Sequence, residues 1–227
     1  MIHYIKNLKI RLKLYILIGV ALLGMLIISG MSFFLMGRMN DMTSDIATSW
    51  LPSVDTAREL SATISNIRLN ELGYLTADSD SKEEASLQSL QDGIKTMDAL
   101  LAAYGDMIDE EERNFYNNAN DLWTQYQAAA EEMMAFAEQG RSESARGILD
   151  GECEALFNSL NSAFDDIINY NTKGSDDAAA ESASLYRTAT LTMAAVVIAI
   201  ILIGVFFSFV IIRLIKTPIS EIQNAAI

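Results

Sequence analysis

The feature that most narrows the fold of this chain is Leu191 to Ile212, LTMAAVVIAIILIGVFFSFVII, a run without one charged residue. As a helix rising ~1.5 Å per residue, it is long enough to cross the ~30 Å hydrocarbon core of a bilayer. Leu14 to Met36 makes a second such run. A cleaved signal peptide is the alternative there, because Lys6, Lys9, Arg11 and Lys13 form a basic leader. The apolar stretch exceeds the ~7–15 residues of a signal h-region and lacks a small-x-small exit, so a span is expected. Those four cations, with Arg213 and Lys216 after the second run, assign both termini to the cytoplasm; Arg38 runs mildly against this.

The 227 residues therefore divide into a basic N-terminus (1–13), a first span (14–36), an outer segment (37–188), a second span (189–212) and a tail (213–227). From Met39 to Thr188 there are 9 Lys and Arg against 29 Asp and Glu, a net charge of −20 where the whole chain carries −14. An acidic surface repels phosphates, so nucleic acid is excluded as a partner. Cys153 is the only cysteine and His3 the only histidine, and His3 precedes the first span. The outer segment thus lacks an internal disulfide, a Cys/His metal cluster and a catalytic His. No metal, cofactor or enzymatic activity is expected. Neighbouring carboxylates could suggest a glycosidase, but no pocket-forming loops accompany them.

Between the spans the apolar period is helical. Trp50, Val54, Ala57, Leu60, Ile64, Ile67, Glu71 and Tyr74 recur at steps of three and four. No strong breaker but Pro52 separates this seam from the first span, so one long helix is predicted to about Thr76, adjusted near Pro52. Ser81 with Glu84 reads as a capping box opening a second helix, with the seam Leu87, Leu90, Ile94, Met97, Leu101, Tyr104 and an end at Gly105-Asp106. Asp109 with Glu112 reads as another, opening a third helix that carries Phe115, Ala119, Leu122, Tyr126, Ala130, Met133 and Ala137 to Gly140. Ser142 is predicted to start a short helix to Leu149. The fourth helix then shows Cys153, Leu156, Leu160, Phe164 and Ile167 and runs on into the second span. Its lower seam, Asn171, Gly174, Ala178, Glu181, Leu185, is poor in large apolar residues and is expected to be the loosest part. Short loops make consecutive helices antiparallel, so the fold class is all-α: an up-down-up-down four-helix bundle continuous with two transmembrane helices.

This pattern resembles a family, the bacterial transmembrane chemoreceptors (methyl-accepting chemotaxis proteins) with a four-helix-bundle sensor domain. The residues that carry the resemblance are the basic N-terminus before a span; Trp50-Leu-Pro-Ser-Val-Asp; Ile67-Arg68-x-x-Glu71-x-x-Tyr74-Leu75; and Gly140-x-x-x-x-Ala145-x-x-Ile148-Leu149. After the second span, Ile212-x-x-x-x-x-Pro218-Ile219-x-x-Ile222 looks like the opening of a HAMP linker, with Glu221 near its proline. The resemblance implies a homodimer in the membrane whose outer bundle binds a small molecule or a solute-binding protein. It implies that a small displacement of the last outer helix passes through the second span, with Pro218 and Glu221 in the relay. The receivers would be a histidine kinase and a coupling protein, reached through a cytoplasmic part expected beyond Ile227. The same input could serve a sensor histidine kinase or a diguanylate cyclase. A membrane-anchored helical interaction protein that carries no signal is the reading from a different class.

Glu71 puts a carboxylate where the seam expects an apolar residue, one turn from Arg68. Two readings stay open: a structural Arg68–Glu71 ion pair that sets bundle register, or Arg68 facing a ligand carboxylate or phosphate with Asn or Tyr donors nearby. Counting helical rise from the two spans places Asn158 and Asn161 level with Arg68, roughly 48 Å from the first span. The candidate ligand-binding set is Arg68, Glu71, Tyr74, Asn158 and Asn161. Trp50 and Pro52 are expected to pack the bundle base, and Phe115, Trp123 and Tyr126 its core. The run Asp109 to Glu112 is read as favourable charge at a helix N-terminus rather than a cation site, and Cys153 as a small buried apolar side chain.

Overall fold

The computed structural model describes the backbone of Ile10–Ala225 and the side chains of residues 11, 12 and 14–213. His3, Lys6 and Lys9, and the side chains of Lys13, Lys216, Pro218 and Glu221, lie outside the described residues. Helix α1 (Ile10–Asp45) passes through a π-turn, Ile46–Trp50, into α2 (Leu51–Leu75). Then come α3 (Asp80–Met107), α4 (Arg113–Glu138) and α5 (Ser142–Ile148). A second π-turn, Leu149–Cys153, leads into α6 (Glu154–Ala225). Among the described residues there is no strand, and α2, α3, α4 and the first part of α6 form the expected all-α four-helix bundle.

The chain separates into two units, one of residues 44–179 and one of residues 1–43 with 180–227. The larger is the bundle. Its core is the run of seams read from the sequence: Leu60, Ile64 and Ile67 of α2, Leu90, Met97 and Tyr104 of α3, Ala119, Tyr126 and Met133 of α4, and Leu160, Phe164 and Ile167 of α6. Each large apolar side chain removed from water there contributes roughly 1.5–3 kcal/mol before the entropy of ordering it.

The adjustment expected near Pro52 is the first π-turn, in which Leu51 N–H donates to Ile46 C=O. A proline has no N–H and its ring crowds the carbonyl four residues back; widening the preceding turn relieves both. Gly140 ends α4 as expected. Its φ of +73° suits a residue without Cβ. Arg141 N–H reaches Phe136 C=O and Gly140 N–H reaches Ala137 C=O, both at 2.9 Å, a Schellman closure.

Three local expectations need correction. The cap of α3 is Ser79, with extended backbone, and not Ser81. Asp80 and Glu83 therefore supply the first-turn charge in place of a Ser81–Glu84 box. Gly105 does not end α3 but lies inside it, two residues before its end at Met107, where a Cβ would meet the Tyr116 ring at 2.9 Å. The short helix expected from Ser142 to Leu149 is α5, Ser142–Ile148, and its backbone continues through Leu149–Cys153 into the long α6. The Asp109–Glu112 box is only half formed. Glu112 N–H donates to Asp109 Oδ1 at 2.9 Å, while the Glu112 side chain turns into the bundle.

In α6 no residue from 172 to 179 is buried, in keeping with the weak lower seam. Gly174 instead receives the indole of Trp50, which leaves no room for even a methyl group. Trp50 and Phe115 both lie against Tyr170, with ring centroids 6.0 and 5.3 Å away.

The second unit holds the two apolar runs, on helices long and apolar enough to cross a membrane. Only 6% of each apolar window is buried, unlike the core helix of a soluble protein. They pair through small contacts. A Cβ on Gly24 would lie 2.9 Å from Ile200 Cδ1, and Ser32 Oγ donates to Met193 Sδ at 3.2 Å.

Candidate functional site

Glu71 sits at a seam position of α2 and therefore points into the bundle, where it has no exposed surface. The Tyr126 hydroxyl, from α4, donates to its Oε2 at 2.6 Å. Arg68, one turn earlier, brings Nη1 to 3.9 Å from the same oxygen, an attraction without a hydrogen bond. The other end of that guanidinium, Nη2, lies 3.7 Å from Glu154 Oε2 at the start of α6. Among the described residues, Glu71 Oε1 and Arg68 Nη1 are buried without a hydrogen-bond partner.

This is a poor environment for a negative charge. Burial pushes the Glu71 carboxyl up to about 7, although the Tyr126 hydrogen bond and the Arg68 charge both pull it down. Burial, and next the Glu71 charge, push the Cys153 thiol up to about 12. That thiol is therefore protonated and unreactive at neutral pH. Burial and then Glu71 likewise raise Tyr126 above the ordinary phenol range. Its ring is held by stacking on Trp123 at 5.8 Å, and Trp123 Nε1 donates to Asp98 Oδ1 at 2.7 Å. The cluster can hold or release a proton and can divide one guanidinium between two carboxylates.

Of the five candidate residues, the structure brings Arg68 and Glu71 together. Tyr74 is buried further along α2, where burial first and then Glu83 and Glu138 raise its hydroxyl above the usual range. Asn158 is exposed. Asn161 accepts from Ser61 Oγ at 3.0 Å and donates to Phe157 C=O, below Arg68 on the helix pair. The residue level with Arg68 is Glu154, one turn from Asn158. Register within the bundle is set by contacts such as Trp50 on Gly174, and the same count started from that pair leads to within a turn of Glu154.

A second polar cluster went unread in the sequence. Glu112, 3% exposed, accepts from the Tyr104 hydroxyl and from Asn171 Nδ2, which also donates to Ile167 C=O at 3.0 Å. It lies ~20 Å from Glu71 along the bundle, by the rise from Glu112 to Tyr126 on the α4 side. Its signal was present: Glu112 stands three residues before Phe115 on the α4 seam, and Asn171 four after Ile167 on that of α6. The capping-box reading explained Glu112 without burying it.

Comparison with known proteins agrees with this architecture. Residues 7–186 match the family described as a four helix bundle sensory module for signal transduction. The chain is similar to a protein named as a sensory transducer in Acetivibrio thermocellus, 24% identical over 161 residues, which cover 70% of this chain and 29% of that one. It is also similar to the Bacillus subtilis protein named as sensory transducer YvaQ, 24% identical over 206 residues, covering 88% and 36%. The chain thus spans about a third of the length of these relatives.

Proposed function

Because this chain belongs to the family of four-helix-bundle sensory modules for signal transduction, we propose that it is the input half of a membrane receptor. Residues 44–179 take up a stimulus outside the membrane, and α6 carries the resulting shift inward. The observation that supports this reading most is the continuity of α6. One helix, Glu154–Ala225, holds the buried seam Leu160, Phe164 and Ile167 near one end and the apolar run 191–212 beyond it. Such a helix passes an axial shift along its hydrogen-bond ladder, and an ångström or two biases a bistable output.

Arg68 is the proposed contact for an anionic small ligand, or for a solute-binding protein presenting one. Its side chain keeps 18% exposure, has a nitrogen without a hydrogen bond and offers a planar fork suited to carboxylate or phosphate. The working unit is proposed to be a homodimer with both termini in the cytoplasm. Pro218 and Glu221 would feed a HAMP linker, and beyond it a histidine kinase and its coupling protein.

The test is a fusion of this chain to the cytoplasmic half of a chemoreceptor of known kinase output, screened against small metabolites. At least one anionic compound should change the output, and Ala179→Pro, which breaks the α6 ladder, should abolish the change while the bundle stays folded. A response that survives the proline would contradict the relay.

A further inference from the structure

We propose that Glu71 is a proton-binding site, where uptake of one proton at Oε1 turns a buried, under-bonded carboxylate into a neutral acid and leaves Arg68 to Glu154. The geometry carries this. An ionised carboxylate offers about four acceptor positions, and here one hydrogen bond, from Tyr126, reaches it. Oε1 is buried with no partner, and the nearest cation stands at 3.9 Å and is shared with a second carboxylate. Removing a charge from water without a full set of donors favours neutralisation. Burial accordingly holds the group at about 7 despite both favourable neighbours.

The charged and titratable groups around Glu71 come from every side of the site. Arg68 is on its own helix, Tyr126 on α4, Cys153 closes the second π-turn and Glu154 opens α6. Among the charged groups of α3, Lys82 pairs with Asp78, Lys95 with Asp92, and Asp98 accepts from Trp123. Arg68 keeps 18% and Glu154 56% side-chain exposure, so the cluster lies close to solvent.

The proton also has something to move. With Glu71 ionised, Arg68 is divided between α2 and α6; with Glu71 neutral, its attraction falls on Glu154 alone. Glu154 directly follows Leu149–Cys153, and π-turns recur at functional sites. Local pH would then be a stimulus at this site. That last consequence rests on the relay proposed above, whereas protonation itself does not.

The experiment is infrared titration of the full chain in lipid, with the proton as the probe. The expected result is a protonated-carboxyl carbonyl band that disappears with a midpoint near 7 and is missing in Glu71→Gln. Tyr126→Phe, which removes a hydrogen bond that stabilises the anion, should move the midpoint upward; this arm serves where Glu71→Gln fails to fold. Identical spectra for the natural chain and Glu71→Gln from about pH 5 to about pH 9, or an unshifted midpoint in Tyr126→Phe, would overturn the assignment. Should the band titrate as expected while the fusion receptor ignores pH, the relay fails and the proton site stands.

Discussion

The Tyr126 hydroxyl on α4 donates to Glu71 Oε2 on α2 at 2.6 Å, and among the described residues no other hydrogen bond reaches that fully buried carboxylate.

Stability should depend on pH through Glu71. The folded group titrates near 7 and its unfolded reference at 4.5, so between these values the folded chain keeps a proton that the unfolded chain releases. The stability contribution is therefore greatest below the unfolded value, falls as pH rises through that window and is flat above it, a loss of up to roughly 3 kcal/mol. Glu71→Gln removes the titration. Denaturant unfolding should show the variant gaining on the natural chain from about pH 5 to about pH 8; parallel profiles would contradict this.

Tyr126→Phe deletes the donor and leaves a buried anion with none. Unfolding at about pH 8 should show a cost of about 1–3 kcal/mol, with a smaller cost at about pH 5 where the acid is neutral. Equal costs at the two values would argue that the hydroxyl acts only through packing.

Arg68→Ala removes the cation 3.9 Å from Glu71 and the proposed ligand contact together. The folded variant should lose thermal stabilisation by any anionic compound that protects the natural chain. Thermal shift against that compound is the check. Unchanged protection would take Arg68 out of the ligand site, and unfolding without ligand would assign it to bundle register alone.

At the base of the bundle, Gly174→Ala forces the Trp50 indole to move, at about 1–3 kcal/mol. Trp50→Ala empties the same space. The double variant should be less destabilised than the two single costs combined, by about 0.5–3 kcal/mol in a double-mutant cycle. Additive costs would mean that the contact sets nothing.

The sequence reveals elements better than their mutual register. Seams such as Leu60, Ile64, Ile67 and Leu160, Phe164, Ile167 are legible because a period of three to four is a local property of one helix. Glu71 was legible for the same reason, as a charge on an apolar stripe. Its neighbours Tyr126 and Cys153, and Glu154 beside Arg68, were not, because which turn of α6 faces which turn of α2 is decided by contacts distant in sequence, including Trp50 on Gly174. Gly105 looked like a stop and is a clearance for Tyr116. Glu112 looked like half of a capping box and gives its backbone N–H to that role while its side chain is buried on Tyr104 and Asn171. Local motifs were read with local partners; burial reassigned them.

If the proposed relay operates, the state of the Glu71 cluster reaches the apolar run of α6. Ser32 and Met193 touch across the two apolar helices, Oγ to Sδ at 3.2 Å, so a cysteine at each position reports their sliding. The measurement is the oxidation rate of Ser32→Cys/Met193→Cys in lipid at one fixed pH of about 8, with Glu71 and with Glu71→Gln as a mimic of the protonated acid. Different cross-linking rates are expected in the two backgrounds, with the bundle folded in both. Identical rates would contradict the relay.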